Sequence, residues 1–339
     1  MTTITAGTAA RAKPSRLKQI DSLWGYLFIA APLLGFLIFA AGPLIASIIL
    51  SFFKWDLLTD PKWVGLDNWT KVVGFQLQPE AYAAALAQDK PWLNALSVYF
   101  KPNDPIVWKA MGNTAFLLLG IPISLGLAVF LASLMNQPMP GKQAFRVIYY
   151  LPTVLPLAAL ALLWLWVLNP DYGLFNNTLR SFGVPAELTR LNWWQNRALV
   201  KPAFIIMGIW RGVGYQALVY LAALQGVPRQ LYEAAEIDGA NAWHKFRSVT
   251  WPLLSPTTFF LLITALIGGF QIFVEPAIMT NGGPANESIT MVMLIWKKAF
   301  RDFAMGYASA QAWLLGVIIM SITIINFLLA RRWVFTETD

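Results

Sequence analysis

The side chains able to do chemistry are few, and their kinds narrow the possibilities quickly. The chain has one histidine, His244, and no cysteine, which leaves no disulfide framework, thiolate metal site or histidine cluster. No pair of acidic residues sits inside an apolar run, and no G-x-x-x-x-G-K-[ST] stretch is present to cradle a nucleotide's phosphates. What remains suits gripping better than reacting. In Glu233-Ala-Ala-Glu-Ile-Asp-Gly239, the Glu233 carboxylate could be held by an arginine in two hydrogen bonds. Ala234 and Ala235 beside it are small enough for another surface to come close, and Asp238-Gly239 marks a turn. A second set lies within apolar runs: Trp210, Tyr215, Gln216 and Tyr220, then Phe270, Gln271 and Glu275, and finally Gln311. Polar groups there face a cavity or a neighbouring helix, because lipid offers them no partner. Gln216 with Tyr220, and Gln271 with Glu275, are spaced i,i+4 and so share a helix face. Helix-to-helix hydrogen bonding accounts for each of these residues, taken singly, as well as solute contact does. Arg211 is the ionisable residue inside the same apolar run as Gln216.

The elements that must position these groups are set by composition. Hydrophobic residues make up 57% of the 339, charged residues only 12%, and the mean hydropathy is +0.55, outside the range of soluble globular domains. Six runs approach or exceed the roughly 20 residues that cross a bilayer as a helix: 24–53, 110–135, 148–168, 202–224, 256–278 and 307–330. The fold class expected is therefore an all-α integral membrane protein with six transmembrane helices. The net charge of +8 is spread over loops with no basic stripe interleaved with aromatics, so nucleic acid is not an expected partner and membrane lipid is. Arg11, Lys13, Arg16 and Lys18 precede the first span and Arg331-Arg332 follow the last, which places both termini in the cytoplasm. The division expected is a tail at 1–23, the first helix at 24–53, an extracytoplasmic insert at 54–109, a five-helix core at 110–330 and a tail at 331–339. Pro32 and Pro43 should kink the first helix. Residues 79–96 read as amphipathic, Trp193-Trp194 as an interfacial anchor, and 288–303 as an interfacial helix.

The loop at 226–256 holds the Glu233 group. Pro228 suits a first helical turn, Glu233-Ala-Ala-Glu236 continues with strong helix formers, and Gly239 can take the left-handed conformation that ends the helix. Residues 240–249 can start a second helix, and Pro252 and Pro256 stand before the next span. The reading is a helix-turn-helix knob.

This combination closely resembles the EAA loop of the permease subunits of binding-protein-dependent ABC importers, with Glu233-Ala-Ala235, Asp238-Gly239, Pro252 and Pro256 at that family's spacing. The likeness covers most of the chain and points to the maltose and glycerol-3-phosphate type. Trp55-Asp56, Val64-Gly-Leu-Asp-Asn-Trp69, Asn113-Thr114, Phe145-Arg146, Asn169-Pro-Asp-Tyr-Gly173, Leu221-Ala-Ala-Leu-Gln225, Gly282-Gly-Pro284 and Tyr307-Ala308 carry it in order. The resemblance implies a subunit with no enzyme activity and no cofactor of its own. It would work beside a second permease subunit of different sequence, two cytoplasmic ATPase subunits carrying ATP and magnesium, and an extracytoplasmic solute-binding protein, in the bacterial or archaeal inner membrane. Glu233, Ala234, Ala235, Asp238 and Gly239 would couple to the ATPase, and the polar and aromatic groups of the later spans would line a path for a sugar or oligosaccharide. An ion-coupled secondary transporter is the competing class, for which only Glu275 offers an intramembrane carboxylate.

Overall fold

The computed structural model describes residues 16–87, 92, 98–138 and 140–335. Residues up to Leu50 and those from Ser51 onward form separate compact units. In the first, α1 (Arg16–Phe36) passes through a π turn at Leu37–Ala41 into α2 (Gly42–Leu50). Pro43 has no N–H and its ring crowds the carbonyl four residues back. The wide turn just before it, closed by the Gly42 N–H onto the Leu37 carbonyl, accommodates that defect.

The insert after the first helix departs from the all-α expectation. Short strands β1 (Phe53–Lys54) and β2 (Lys62–Trp63) pair antiparallel, with Phe53 opposite Trp63. After α3 (Asp67–Val73), β3 (Phe75–Leu77) is followed by α4 (Pro79–Ala87), and β4 (Phe100–Pro102) pairs back on β3 with Gln76 opposite Lys101. Most of the remaining amphipathic stretch lies outside the described residues. The Asn68 amide donates to the carbonyls of Ser51 and Phe53, both at 2.9 Å. Trp55 offers its carbonyl to the Met305 N–H at 3.0 Å, which seats the insert on the start of the last helix.

The second long helix begins at residue 105, not 110. Asp104 caps α5 (Pro105–Leu117), its carboxylate accepting from the Ile106 N–H at 3.1 Å, with proline at the first position. Hydropathy misses this start because Lys109 lies in the second turn. α5 runs on into α6 (Gly120–Asn136) as one 32-residue apolar element.

The expected third span is not one helix. α7 (Lys142–Val154) and α8 (Leu157–Val167) meet at a bend of 102°. Leu155, at φ −66° and ψ 137°, is extended because the residue before a proline, here Pro156, is disfavoured in the helical region. α9 (Leu174–Ser181) and α10 (Ala186–Thr189) then lead to α11 (Val200–Gln225), the central helix. A Cβ added at Gly214 would lie 1.8 Å from the Tyr149 carbonyl oxygen, so only glycine lets α7 rest its backbone on α11. Thr153 adds a hydrogen bond to the Arg211 carbonyl at 2.9 Å.

Beyond α12 (Arg229–Ile237) and α13 (Ala242–Lys245), a π turn leads into α14 (Trp251–Phe270). The helix stops at Gln271, and Phe273 has φ −142° and ψ −52°, before α15 (Val274–Met279) resumes. Gln271 and Glu275 are therefore not an i,i+4 helical pair. The stretch read as an interfacial helix contains only α16 (Met291–Trp296) and a π turn to Arg301, with Met291, Met293 and Leu294 buried against Val107 and Ala110. Its apolar recurrence is core packing. α17 (Met305–Ala330) closes the chain. Five described helices are long and apolar enough to cross a membrane, or six if the bent pair counts as one span.

Candidate functional site

Two arrangements bring the sequence candidates together, one at each end of α14. At the first, α12 ends in a Schellman motif: the Gly239 N–H bonds the Glu236 carbonyl at 3.0 Å and the Ala240 N–H bonds that of Ala235 at 2.9 Å. Gly239 takes φ +76°, the left-handed conformation the sequence anticipates. Pro228 sits one residue before the helix, as its N-cap. Asn241, which sequence reasoning overlooked, caps the next helix by accepting from the His244 N–H at 2.9 Å. From there the chain is helical without a break to Phe270.

The knob is clipped to this long helix twice. The Tyr232 hydroxyl lies 3.0 Å from Thr250 Oγ1, and Lys245 Nζ lies 2.8 Å from the Glu236 carboxylate. Glu233 is exposed and makes no hydrogen bond or ion pair among the described residues. Ile237, one turn further along the same face, is 87% exposed, and Leu231 and Trp243 elsewhere on the knob are also exposed. Exposed apolar side chains beside an unengaged carboxylate suit a protein partner.

At the far end of α14 lies a cavity of about 360 Å³ with walls from α5, α6, α8, α11, α14 and α15. Its polar groups are Ser124, Arg211, Gln216, Gln271 and Glu275. The Ser124 hydroxyl donates to Gln216 Oε1 at 2.6 Å, fixing that amide. Glu275 is 6% exposed, and Arg211 Nε has no hydrogen-bond partner. Arg211 and Glu275 share the cavity wall without forming an ion pair with one another, and the Arg211 Nε–H is left for a guest. A Cβ at Gly269 would meet Leu118 Cδ2 at 2.5 Å, a side-chain end that must turn aside to admit it, so the helices approach closely at that glycine.

The other candidates stand apart from the cavity. Tyr220 is fully buried and bonds Thr258 Oγ1 at 3.1 Å, Phe270 is core, and Gln311 is fully buried in α17. Trp210 meets Trp164 edge-on at 5.8 Å and is part-exposed, as is Tyr215. Trp194 is buried against Phe204, and Trp193 packs edge-on against Phe175, so Trp194 is a core residue and not the exposed anchor expected.

Sequence reasoning missed a charge cluster at the end of the bundle opposite the knob. The Glu287 carboxylate receives Lys109 at 2.9 Å and Lys201 at 2.7 Å, and these hydrogen bonds hold it down at about 2. Asn113 donates to the carbonyls of Asn286 and Ile289, and Thr114 accepts from the Met291 N–H. The loop between α15 and α16 is thereby pinned to α5 and α11. Two isolated lysines at the ends of apolar runs were the available signal.

Residues 120–334 match the family described as binding-protein-dependent transport system inner membrane component, and this chain belongs to that family. It is 32% identical, over 99% of both chains, to the probable ABC transporter permease protein YesP of Bacillus subtilis. It is 30% identical to the lactose transport system permease protein LacF of Rhizobium radiobacter, over 95% of this chain and 99% of that one. A solved bacterial ABC transporter involved in import of the acidic polysaccharide alginate shares the fold, with a TM-score of 0.72 at 23% identity, over 93% of this chain and 98% of that one.

Proposed function

We propose that this chain is one of two permease subunits of an ATP-driven importer, forming half of the pathway for a sugar or oligosaccharide handed over by an extracytoplasmic solute-binding protein. The names of its relatives, lactose and arabinooligosaccharide permeases among them, support the substrate class. The second permease is a different chain. Two cytoplasmic ATPase subunits carry the ATP and magnesium. In this reading the chain crosses the membrane six times, the bent pair counting once, with both termini and the knob in the cytoplasm and residues 54–109 outside.

The observation that carries the reading is the exposed knob joined to an unbroken helix that ends at the cavity. From Ala242 to Phe270 that helix rises about 40 Å at 1.5 Å per residue. ATPase closure would push on Glu233, Ala234, Ala235, Asp238 and Gly239, and the Tyr232–Thr250 and Glu236–Lys245 clips would pass the displacement to α14. At the other end Gln216, Gln271 and Glu275, with Arg211, offer amides and charges to sugar hydroxyls. Reconstitution of the whole complex tests the coupling. Glu233→Arg should leave the protein inserted while ATP hydrolysis no longer drives uptake, and unchanged uptake would remove the assignment. Uptake that stops when ion gradients collapse, with ATP still present, would favour the secondary-transporter class instead.

A further inference from the structure

A second cavity, of about 720 Å³, opens at the end of the bundle opposite the knob. Its walls come from the C-terminal half of α8, the segment after it, the residues before α11, and the end of α15 with the loop that follows. Asn169, Pro170, Tyr172, Gly283 and Pro284 among them carry the family resemblance, but none was a candidate for solute contact. Trp166 and Tyr172 present part-exposed rings, Tyr172 at 62% exposure. Asn169, Asn192 and Gln195 present amides. Asn169 uses its Oδ1 to accept from the Asp171 and Tyr172 N–H groups, and Asn192 uses its Oδ1 to accept from that of Gln195. The NH2 groups of both asparagines have no partner among the described residues and remain donors for a guest.

The rim is held ready. The Arg180 guanidinium donates to the carbonyls of Pro170 at 2.8 Å and Asp171 at 3.2 Å, and the Asn176 amide donates to that of Asn169 at 2.9 Å. A site fixed in advance loses little free energy to ordering when a ligand arrives. No charged side chain lines the cavity. Rings, free amide donors and no charge suit a neutral, hydroxyl-rich ligand: the rings cover its C–H faces and the amides reach its hydroxyls.

The two cavities lie in series. Leu157 of α8 lines the inner one, and Leu162 and Trp166 of the same helix line the outer, about 7.5 and 14 Å further along at 1.5 Å per residue. Glu275 of α15 lines the inner cavity and Ile278 and Met279 the outer. The two linings are therefore adjacent along α15 and together extend, along α8, further than one pyranose ring. We propose, resting on the carbohydrate reading above, that the outer cavity is a second saccharide subsite, so that the transported solute is a neutral oligosaccharide held by both cavities and not a monosaccharide or a uronate.

The test uses the full complex, with its binding protein, in vesicles charged with ATP. Neutral mono-, di-, tri- and tetrasaccharides and a uronate trisaccharide are offered together, and the lumen is read by mass spectrometry. The wild type should accumulate neutral saccharides of two or more residues. Tyr172→Ala and Asn192→Asp remove one ring and one donor, and the Asp keeps the acceptor that the Gln195 N–H uses. Each should cut tri- and tetrasaccharide uptake about tenfold, the loss of roughly 1.4 kcal/mol of contact, and disaccharide uptake by less, because a shorter chain reaches less of the outer cavity. The binding protein is unchanged throughout, so a shift in length preference arises in the permease. Equal loss at every length, no loss at all, or wild-type preference for monosaccharide or uronate would overturn the subsite. Uptake of none of these sugars by a complex that hydrolyses ATP would instead overturn the carbohydrate reading itself.

Discussion

Replacing Glu287 by glutamine should expose how much of the bundle's far end depends on one carboxylate. In the wild type the group sits between Lys109 and Lys201 at 2.9 and 2.7 Å and is held at about 2 against an ordinary 4.5. Taken at full strength, that displacement favours the charged form in the fold by about 3 kcal/mol. The Glu287 side chain is 23% exposed and the Lys109 side chain 38%, so water screens part of it and about 1–2 kcal/mol is the working figure. Because the folded value lies below the unfolded one, this stability is complete above about 4.5 and is lost as pH falls through about 2. Glu287→Gln leaves two lysines facing a neutral amide and has no such dependence. Thermal unfolding of the purified complex in nanodiscs, wild type against variant, should show the variant lower by a few degrees at pH 7. The gap should close as pH is lowered from about 4.5. A variant as stable as wild type at pH 7, or a gap constant down to pH 2, would refute the reasoning.

Gly214→Ala places a methyl 1.8 Å from the Tyr149 carbonyl oxygen, and separating α7 from α11 should cost about 3 kcal/mol or more. The measurement is the yield of folded protein after membrane extraction, and normal yield would contradict the contact. Tyr232→Phe removes the hydroxyl that meets Thr250 and should cost about 1 kcal/mol. In the reconstituted complex it should raise the number of ATP molecules hydrolysed per solute moved, while a ratio equal to wild type would show that the clip transmits nothing.

The knob was legible because each of its parts is a local rule. Gly239 must be glycine for its positive φ, and α12 is short enough for backbone bonding within seven residues to close it. The long helices were legible from hydropathy, and the wide turn before Pro43 was foreshadowed by that proline, but the later interruptions were not. Pro156 bends one span through 102°, whereas Pro256 is carried inside α14. Proline alone therefore does not tell a bend from a continuous helix. Gln271 and Glu275 line one cavity, but not as the i,i+4 pair the spacing suggested, since the helix that would have stacked them stops between them. Tyr220 shares a buried face with Gln216, yet Thr258, a partner 38 residues away, claims its hydroxyl. The Glu287 cluster joins residues as far as 178 positions apart, and spacing along the chain carries no trace of it.

The break after Gln271 also divides the cavity mechanically. On one side, Gln271 ends the helix that begins at the knob. On the other, the Ile272 carbonyl is tied to Thr290 at 2.7 Å, and the segment that follows Thr290 is fastened to Thr114 of α5. In the proposed coupling, Glu275 would belong to the anchored part of the molecule and Gln271 to the driven part. A solute bridging the two would be held from both sides of the break, and a rotation of α14 would separate its two contacts.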